Sequence, residues 1–167
     1  SYRLLGELLP RADAVPDTLR DLIVNASNGN PLYIEELVKM LVENGTLLRD
    51  TGLWALNHVQ LAAVQVPTTL TALLQARFDN LSPSQQRLLQ LASVFGRVFW
   101  DGGIKYLDSS VPTANSTVHS ALSATIDQLG SQKMVFLHKK STFRGYPEYT
   151  FKHALMFHVI HETLLKQ

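Results

Sequence analysis

The ten residues from Asn28 to Leu37, NGNPLYIEEL, constrain this chain more than any other stretch. Between Asn28 and Leu32 they stop one helix, make a turn and start the next. Gly29 suits the left-handed position that follows a helix, and Asn30 can cap the following one through its side chain. Pro31 belongs at a first helical turn, where no backbone donor is needed. Apolar residues recur at helical spacing on both sides. Leu19, Leu22, Ile23 and Ala26 make one face over Asp17 to Asn28, and Ile34, Leu37, Val38 and Leu41 make another between Pro31 and Asn44. Glu35 and Glu36 sit near the positive end of the second helix dipole, and Glu35 can meet Lys39 one turn on. A sharply specified helix–helix corner is the first expectation.

The period changes after Gly45. TLLRDTGLWAL alternates around Asp50-Thr51-Gly52, which predicts a β hairpin near 46–56. Helical spacing returns after Pro67 with Leu70, Leu73, Leu74 and Phe78. Ser82-Pro83-Ser84-Gln85 then carries a capping serine, a first-turn proline and a glutamine where a capping box wants one. The helix it starts should bury Leu88, Leu91, Ala92 and Phe95 and end at Gly96. A short helix is expected around Gly103 to Leu107, followed by a turn at Val111-Pro112. Another helix should run from about Asn115 to Leu129, lined by Val118, Leu122, Thr125 and Leu129 and stopped by Gly130. Met134 to Leu137 and Glu148 to Lys152 read as strands joined by a long basic loop, before a last helix from Ala154 to Lys166. The expected fold class is mainly α. A helical bundle with a short β hairpin occupies 1–81, and a winged helix-turn-helix unit occupies 82–167, with the hinge near Asn80 to Pro83.

Composition sets outer bounds. A chain of 167 residues, 46% hydrophobic and 17% charged, can bury a real core as one domain or two small ones. A formal net charge of +1 creates no strong global field. The absence of cysteine excludes disulfides and thiolate metal sites and is compatible with the cytoplasm. No apolar run reaches membrane-spanning length, and the N-terminus lacks the order of a secretion signal, so no membrane partner is expected. SYRLLGELL and HETLLKQ, at the two ends, are both helix-like, as in a fragment of something longer.

NGNPLYIEEL closely resembles the GNPL(F/Y)(I/L)EEL signature of STAND-type signalling ATPases, relatives of the AAA+ proteins. The resemblance extends along nearly the whole chain. ENGTLLRDTGLWAL is similar to that family's E-x-G-x-L-x-x-x-x-G-x-W-x-L hairpin, and VPTTLTALLQARFDNLSPSQQRLLQLASVFGRVF to its VP-x-T-L-x-x-L-L-x-x-R-x-D-x-L helix leading into a winged-helix domain. YTFKHALMFHVIHETLL looks like the segment that closes this module, with His161 where the family usually has a tyrosine. The resemblance implies a helical lid followed by a winged helix, from large proteins such as ATPase-linked nucleotidyl cyclases and bacterial transcriptional activators. It further implies contact between the lid residues Gly29, Asn30, Pro31 and Leu32 and the nucleotide. ATP or ADP with Mg would belong to the parent protein. The partners implied are a P-loop domain and helical repeats of the same polypeptide, with self-association of the parent.

The chemistry absent from the sequence matters as much. There is no phosphate-cradling G-x-x-x-x-G-K-(S/T) loop, and no strand ends in acidic residues placed to hold magnesium. The chain is therefore expected to be a non-catalytic regulatory fragment that needs no cofactor of its own. The alternative is a winged-helix nucleic-acid-binding module with a basic wing. Lys133, Lys139, Lys140, Arg144 and Lys152 surround a single Glu148, with Phe143, Tyr146 and Tyr149 interleaved, and could contact nucleic acid or a protein partner. Against nucleic acid stands the stretch between Tyr106 and Gln132. It would hold the recognition helix, yet contains no lysine or arginine, and Asp108 and Asp127 add negative charge. His153, His158 and His161 do not match a metal-ligand spacing, adjacent Glu35 and Glu36 point about 100° apart on a helix, and Trp54 is expected to cover the core.

Overall fold

The computed structural model describes residues 2–9, 16–50, 53–110 and 117–165, and the chain is mainly helical with short antiparallel strands. It divides into two compact units, Ser1–Ala76 and Arg77–Gln167.

The first unit contains α1 (Tyr2–Leu8), α2 (Asp17–Ser27), α3 (Pro31–Glu43), β1 (Leu47–Asp50), β2 (Leu53–Leu56), α4 (His58–Ala63) and most of α5 (Leu70–Asp79). Its core is organised on α3, against which α1, α2 and β1 pack. Ile34, Leu37, Val38 and Leu41 are all buried, as their spacing requires. On α2 the buried face runs Leu19, Ile23 and Ser27, while Leu22 is 41% exposed. The serine is tolerated inside because its hydroxyl donates to the Val24 carbonyl (2.6 Å) and accepts from the Gly29 amide (3.3 Å). β1 and β2 pair antiparallel, Leu47 with Leu56 and Asp50 with Leu53, and Trp54 lies over the core. Thr51 and Gly52, expected at the hairpin turn, lie outside the described residues. The short α4 had no signal in the apolar pattern because it buries no residue. It starts because the Asn57 side chain accepts from the Val59 and Gln60 amides.

The second unit contains α6 (Pro83–Phe95), β3 (Val98–Trp100), α7 (Asp101–Ser110), α8 (Thr117–Ser131), β4 (Val135–Leu137), β5 (Glu148–Phe151) and α9 (Ala154–Leu165). The capping box at Ser82 and Gln85 forms in both directions. α6 is central, packed by α7, α8, α9 and β3. The sheet order is β3-β5-β4, all antiparallel, with Phe99 fully buried between Tyr149 and Phe151. Expected at Ser82, the division between units comes earlier, within α5. The Arg77 guanidinium is buried and donates to the Gln132 carbonyl (3.0 Å), and Gln86 donates to the Phe78 and Asp79 carbonyls (3.1 Å each), so the end of α5 belongs with the second unit.

Four local differences from the sequence expectations stand out. β3 has no sequence signal, since three residues are too few for an alternating pattern, and α7 extends beyond the expected Gly103 to Leu107. Phe95 is 39% exposed, and Leu88, Leu89 and Ala92 form the buried face of α6, which is wide because several elements surround it. α8 runs through Gly130 to Ser131. Its stop is a Schellman arrangement, the Met134 amide donating to Leu129 O and the Lys133 amide to Gly130 O (2.9 Å each), with Lys133 at φ 55° where a glycine would ordinarily sit. The expected start of that helix near Asn115 and the turn at Val111-Pro112 lie outside the described residues.

Candidate functional site

Two places concentrate unusual local chemistry, one in each unit. In the first, the chain turns between α2 and α3. Asn28 (φ 46°, ψ 38°) and Gly29 (φ 81°) both occupy the left-handed region, and Asn30 caps α3. The Asn30 Oδ1 accepts from the amides of Leu32 (3.0 Å) and Tyr33 (3.4 Å), and its own amide donates to Ser27 O (2.8 Å). Gly29, Asn30 and Pro31 are exposed and Leu32 is half-buried. The first amides of α3 are thus already used by the protein, so this helix start is not a phosphate cradle. What the corner presents outward is the Pro31 ring. Behind it, the Tyr33 hydroxyl donates to the Pro67 carbonyl, and burial holds that hydroxyl above its usual pKa. Lys39 bridges both neighbouring carboxylates, Glu35 at 2.6 Å and the fully buried Glu36 at 3.0 Å.

In the second unit the focus is Glu148. In the sequence it is the single acid among the basic residues of this segment, but its side chain turns inward. One oxygen, Oε2, accepts from the Trp100 indole nitrogen (3.1 Å) and from the Thr142 amide (2.8 Å), and Oε1 lies 3.0 Å from His138 Nδ1. The Thr142 hydrogen bond first, then Trp100 and His138, hold its carboxyl below the usual range, against the opposing effect of burial. A single carboxylate therefore ties β3 to the loop between β4 and β5. Lys133, Lys139, Lys140 and Arg144 are exposed; Lys152 is half-buried at the end of β5. Asp108, whose negative charge counts against nucleic acid in the sequence, is buried and paired with Arg87 at 3.2 Å.

Beside Glu148 opens a groove of about 490 Å³. Its walls are Phe95, Trp100, Phe143 and Tyr146, its floor is Gly102 and Gly103, and among the described residues Arg144 is the only charged one lining it. Trp100 and Phe143 meet edge to face, centroids 4.9 Å apart at 77°. A Cβ on Gly102 would lie 2.6 Å from Tyr146 Cε1, and one on Gly103 would lie 2.7 Å from Phe95 Cζ. The two glycines at the start of α7 are needed for space, since any side chain there would push a ring away. Sequence reasoning finds the aromatics of the β4–β5 loop but not this groove. Its glycines and rings come from distant parts of the chain, and only the Gly102-Gly103 pair inside a helix was a usable signal.

The histidines of the closing helix have an aromatic role. His161 stacks on Phe157 (5.6 Å, 25°), and His158 lies 5.2 Å from the same ring. Among the described residues no group of three or more His, Cys, Asp or Glu is placed to hold a metal ion, and no helix is long and apolar enough to cross a membrane. Comparison with protein-family models, curated proteins and solved structures returned no match.

Proposed function

We propose that this chain is a non-catalytic relay from a nucleotide-switched signalling ATPase of the STAND type, a helical lid joined to a winged-helix unit. The observation that carries the reading is the geometry of the Asn28–Leu32 corner. It is exposed from Asn28 to Pro31, rigidly capped, and has its amides already spent. A turn of that kind can offer Pro31 and Leu32 to the adenine and ribose side of a nucleotide, while the phosphates and Mg are held by a P-loop domain elsewhere in the parent. The resemblance of four successive motifs supports the same reading. So does the order of the second unit, helix, strand, two helices, two strands and a closing helix, with β3 beside β5 in the sheet.

The mechanism is conformational. Exchange of ADP for ATP on the P-loop domain changes what the corner touches, and the lid moves as a rigid body, carrying the winged helix and the helical repeats that follow. Pro31 and the Asn30 cap keep the corner stiff, so that a contact at the nucleotide becomes a displacement of α3 as a whole. The parent would act in the cytoplasm, with a cyclase or transcriptional output and self-association among its means of signalling.

The test uses a longer polypeptide that includes the coding region upstream of Ser1. That polypeptide should contain a P-loop and bind ATP and ADP. Pro31→Gly and Leu32→Ala should weaken nucleotide binding roughly three- to tenfold with the fold retained. An upstream region without a P-loop, or affinities indifferent to both substitutions, would overturn the proposal.

A further inference from the structure

The groove in the second unit has no part in the relay just described, and its chemistry selects a ligand. Three of its four aromatic walls are largely open to solvent, Phe95 at 39%, Phe143 at 55% and Tyr146 at 53%. Exposed rings gathered around a cavity mark a binding surface rather than scattered surface residues. Its size falls within the range that accepts a small ligand or one or two bulky side chains. The groove is also pre-formed. Glu148 fixes the Trp100 indole and the Thr142 amide next to Phe143, and the Gly102-Gly103 floor lets the other two rings approach the backbone.

Electrostatics narrows the choice further. Glu148 is turned inward, and Asp101 is engaged by Lys105 (2.9 Å) and by the Gly102 amide (2.7 Å), so neither neighbouring carboxylate is presented to a cation. Arg144 on the rim, with exposed Lys139 and Lys140 on the same wing, favours an anionic partner. Nucleic acid fits poorly. α8 carries no lysine or arginine, the four exposed cations Lys133, Lys139, Lys140 and Arg144 release few counterions, and the edge-to-face Trp100–Phe143 pair is not a row of parallel stacking faces.

We infer that this groove is a docking site for an acidic peptide segment, which inserts one bulky apolar side chain between Trp100, Phe143 and Tyr146 and lays its carboxylates on Arg144 and the wing lysines. The inference stands independently of the relay, since it concerns only the second unit.

The test is a fluorescence-polarisation titration of the 167-residue chain with a labelled short peptide of glutamates flanking one central leucine. Comparators are the same peptide with lysines for glutamates, the same peptide with glycine for leucine, and a labelled single-stranded oligonucleotide. The acidic leucine peptide should bind with Kd on the order of 10 µM, and each comparator at least tenfold more weakly. Arg144→Glu and Gly102→Ala should each weaken the acidic peptide at least fivefold. Arg144 is exposed, and the ring that Gly102→Ala displaces is exposed, so both variants should keep the wild-type melting curve. Tyr146→Ala removes an exposed ring and serves in place of Gly102→Ala should that variant melt early. Preference for the lysine peptide or the oligonucleotide would overturn the inference. So would acidic-peptide affinity unchanged in Arg144→Glu and in the groove variants.

Discussion

The α2–α3 corner and the groove at the start of α7 both depend on glycine, but for opposite reasons. At the corner, Gly29 has open space around it and a φ of 81°, so its role is conformational. At the groove, Gly102 has no positive φ, and the Tyr146 ring occupies the place where a side chain would go. The first requirement is written within a few residues, by Asn28, Asn30 and Pro31. The second depends on the chain returning from β4 to β5 to lay an aromatic loop over the start of α7. One site is specified locally, the other only by the completed fold.

Substitutions can break or sharpen that comparison. The largest effect is expected at Phe99, fully buried between Tyr149 and Phe151. Phe99→Ala should lower the stability of the second unit by about 3–5 kcal/mol, followed by Trp100 fluorescence in urea with Trp54 replaced by phenylalanine. Next comes Gly29. Gly29→Ala should cost the first unit about 1–2 kcal/mol and Gly29→Asn markedly less, because asparagine tolerates the left-handed region. Gly102→Ala and Gly102→Asn should by contrast be equally harmful to the groove. If Gly29→Asn proves as costly as Gly29→Ala, the conformational role assigned to the corner is wrong. Asn30→Ala removes the α3 cap and should cost about 1 kcal/mol, measured by thermal melting with Trp54 as the reporter. Lys133→Gly should stabilise the second unit by up to about 1 kcal/mol, since glycine carries no left-handed penalty at the end of α8.

The smallest effect is local and depends on pH. The Glu148 carboxyl titrates below the usual carboxylate range, so what it contributes to holding the β4–β5 loop is complete at neutral pH and lost as pH falls through its own depressed value. Amide exchange at Thr142, measured by NMR, should stay slow down through the ordinary carboxylate range and accelerate only below it. Glu148→Gln should abolish that step. A step at the ordinary carboxylate value in the wild type would mean that the Thr142 and Trp100 contacts do not favour the ionised form.

Much of the fold was legible because its signals are short. The Asn30 cap with Pro31, the Ser82 capping box and the period-3.6 faces of α3 and α5 each lie within a few turns of chain. Gly130 misled for the same local reason. A glycine can end a helix, but the hydrogen bonds that end α8 place the left-handed residue at Lys133. The inward turn of Glu148 has no sequence signal because Trp100, 48 residues away, meets it only when β3 pairs with β5, and His138 and Thr142 only when the β4–β5 loop folds back over it. Ser27 shows the limit of hydrophobic patterning. A hydroxyl satisfied by the neighbouring backbone can be buried as readily as Ala26 beside it, which the apolar pattern had favoured.

The central claim is that this chain moves in response to a nucleotide bound mainly by another domain. The most direct measurement is an equilibrium titration of the isolated chain with labelled ATP and ADP in the presence of Mg. The corner alone offers one ring and no free phosphate-binding amides, so no saturable binding is expected at concentrations on the order of 1 mM. Saturable binding with Kd on the order of 1 µM would place a complete nucleotide site within these residues and contradict the claim.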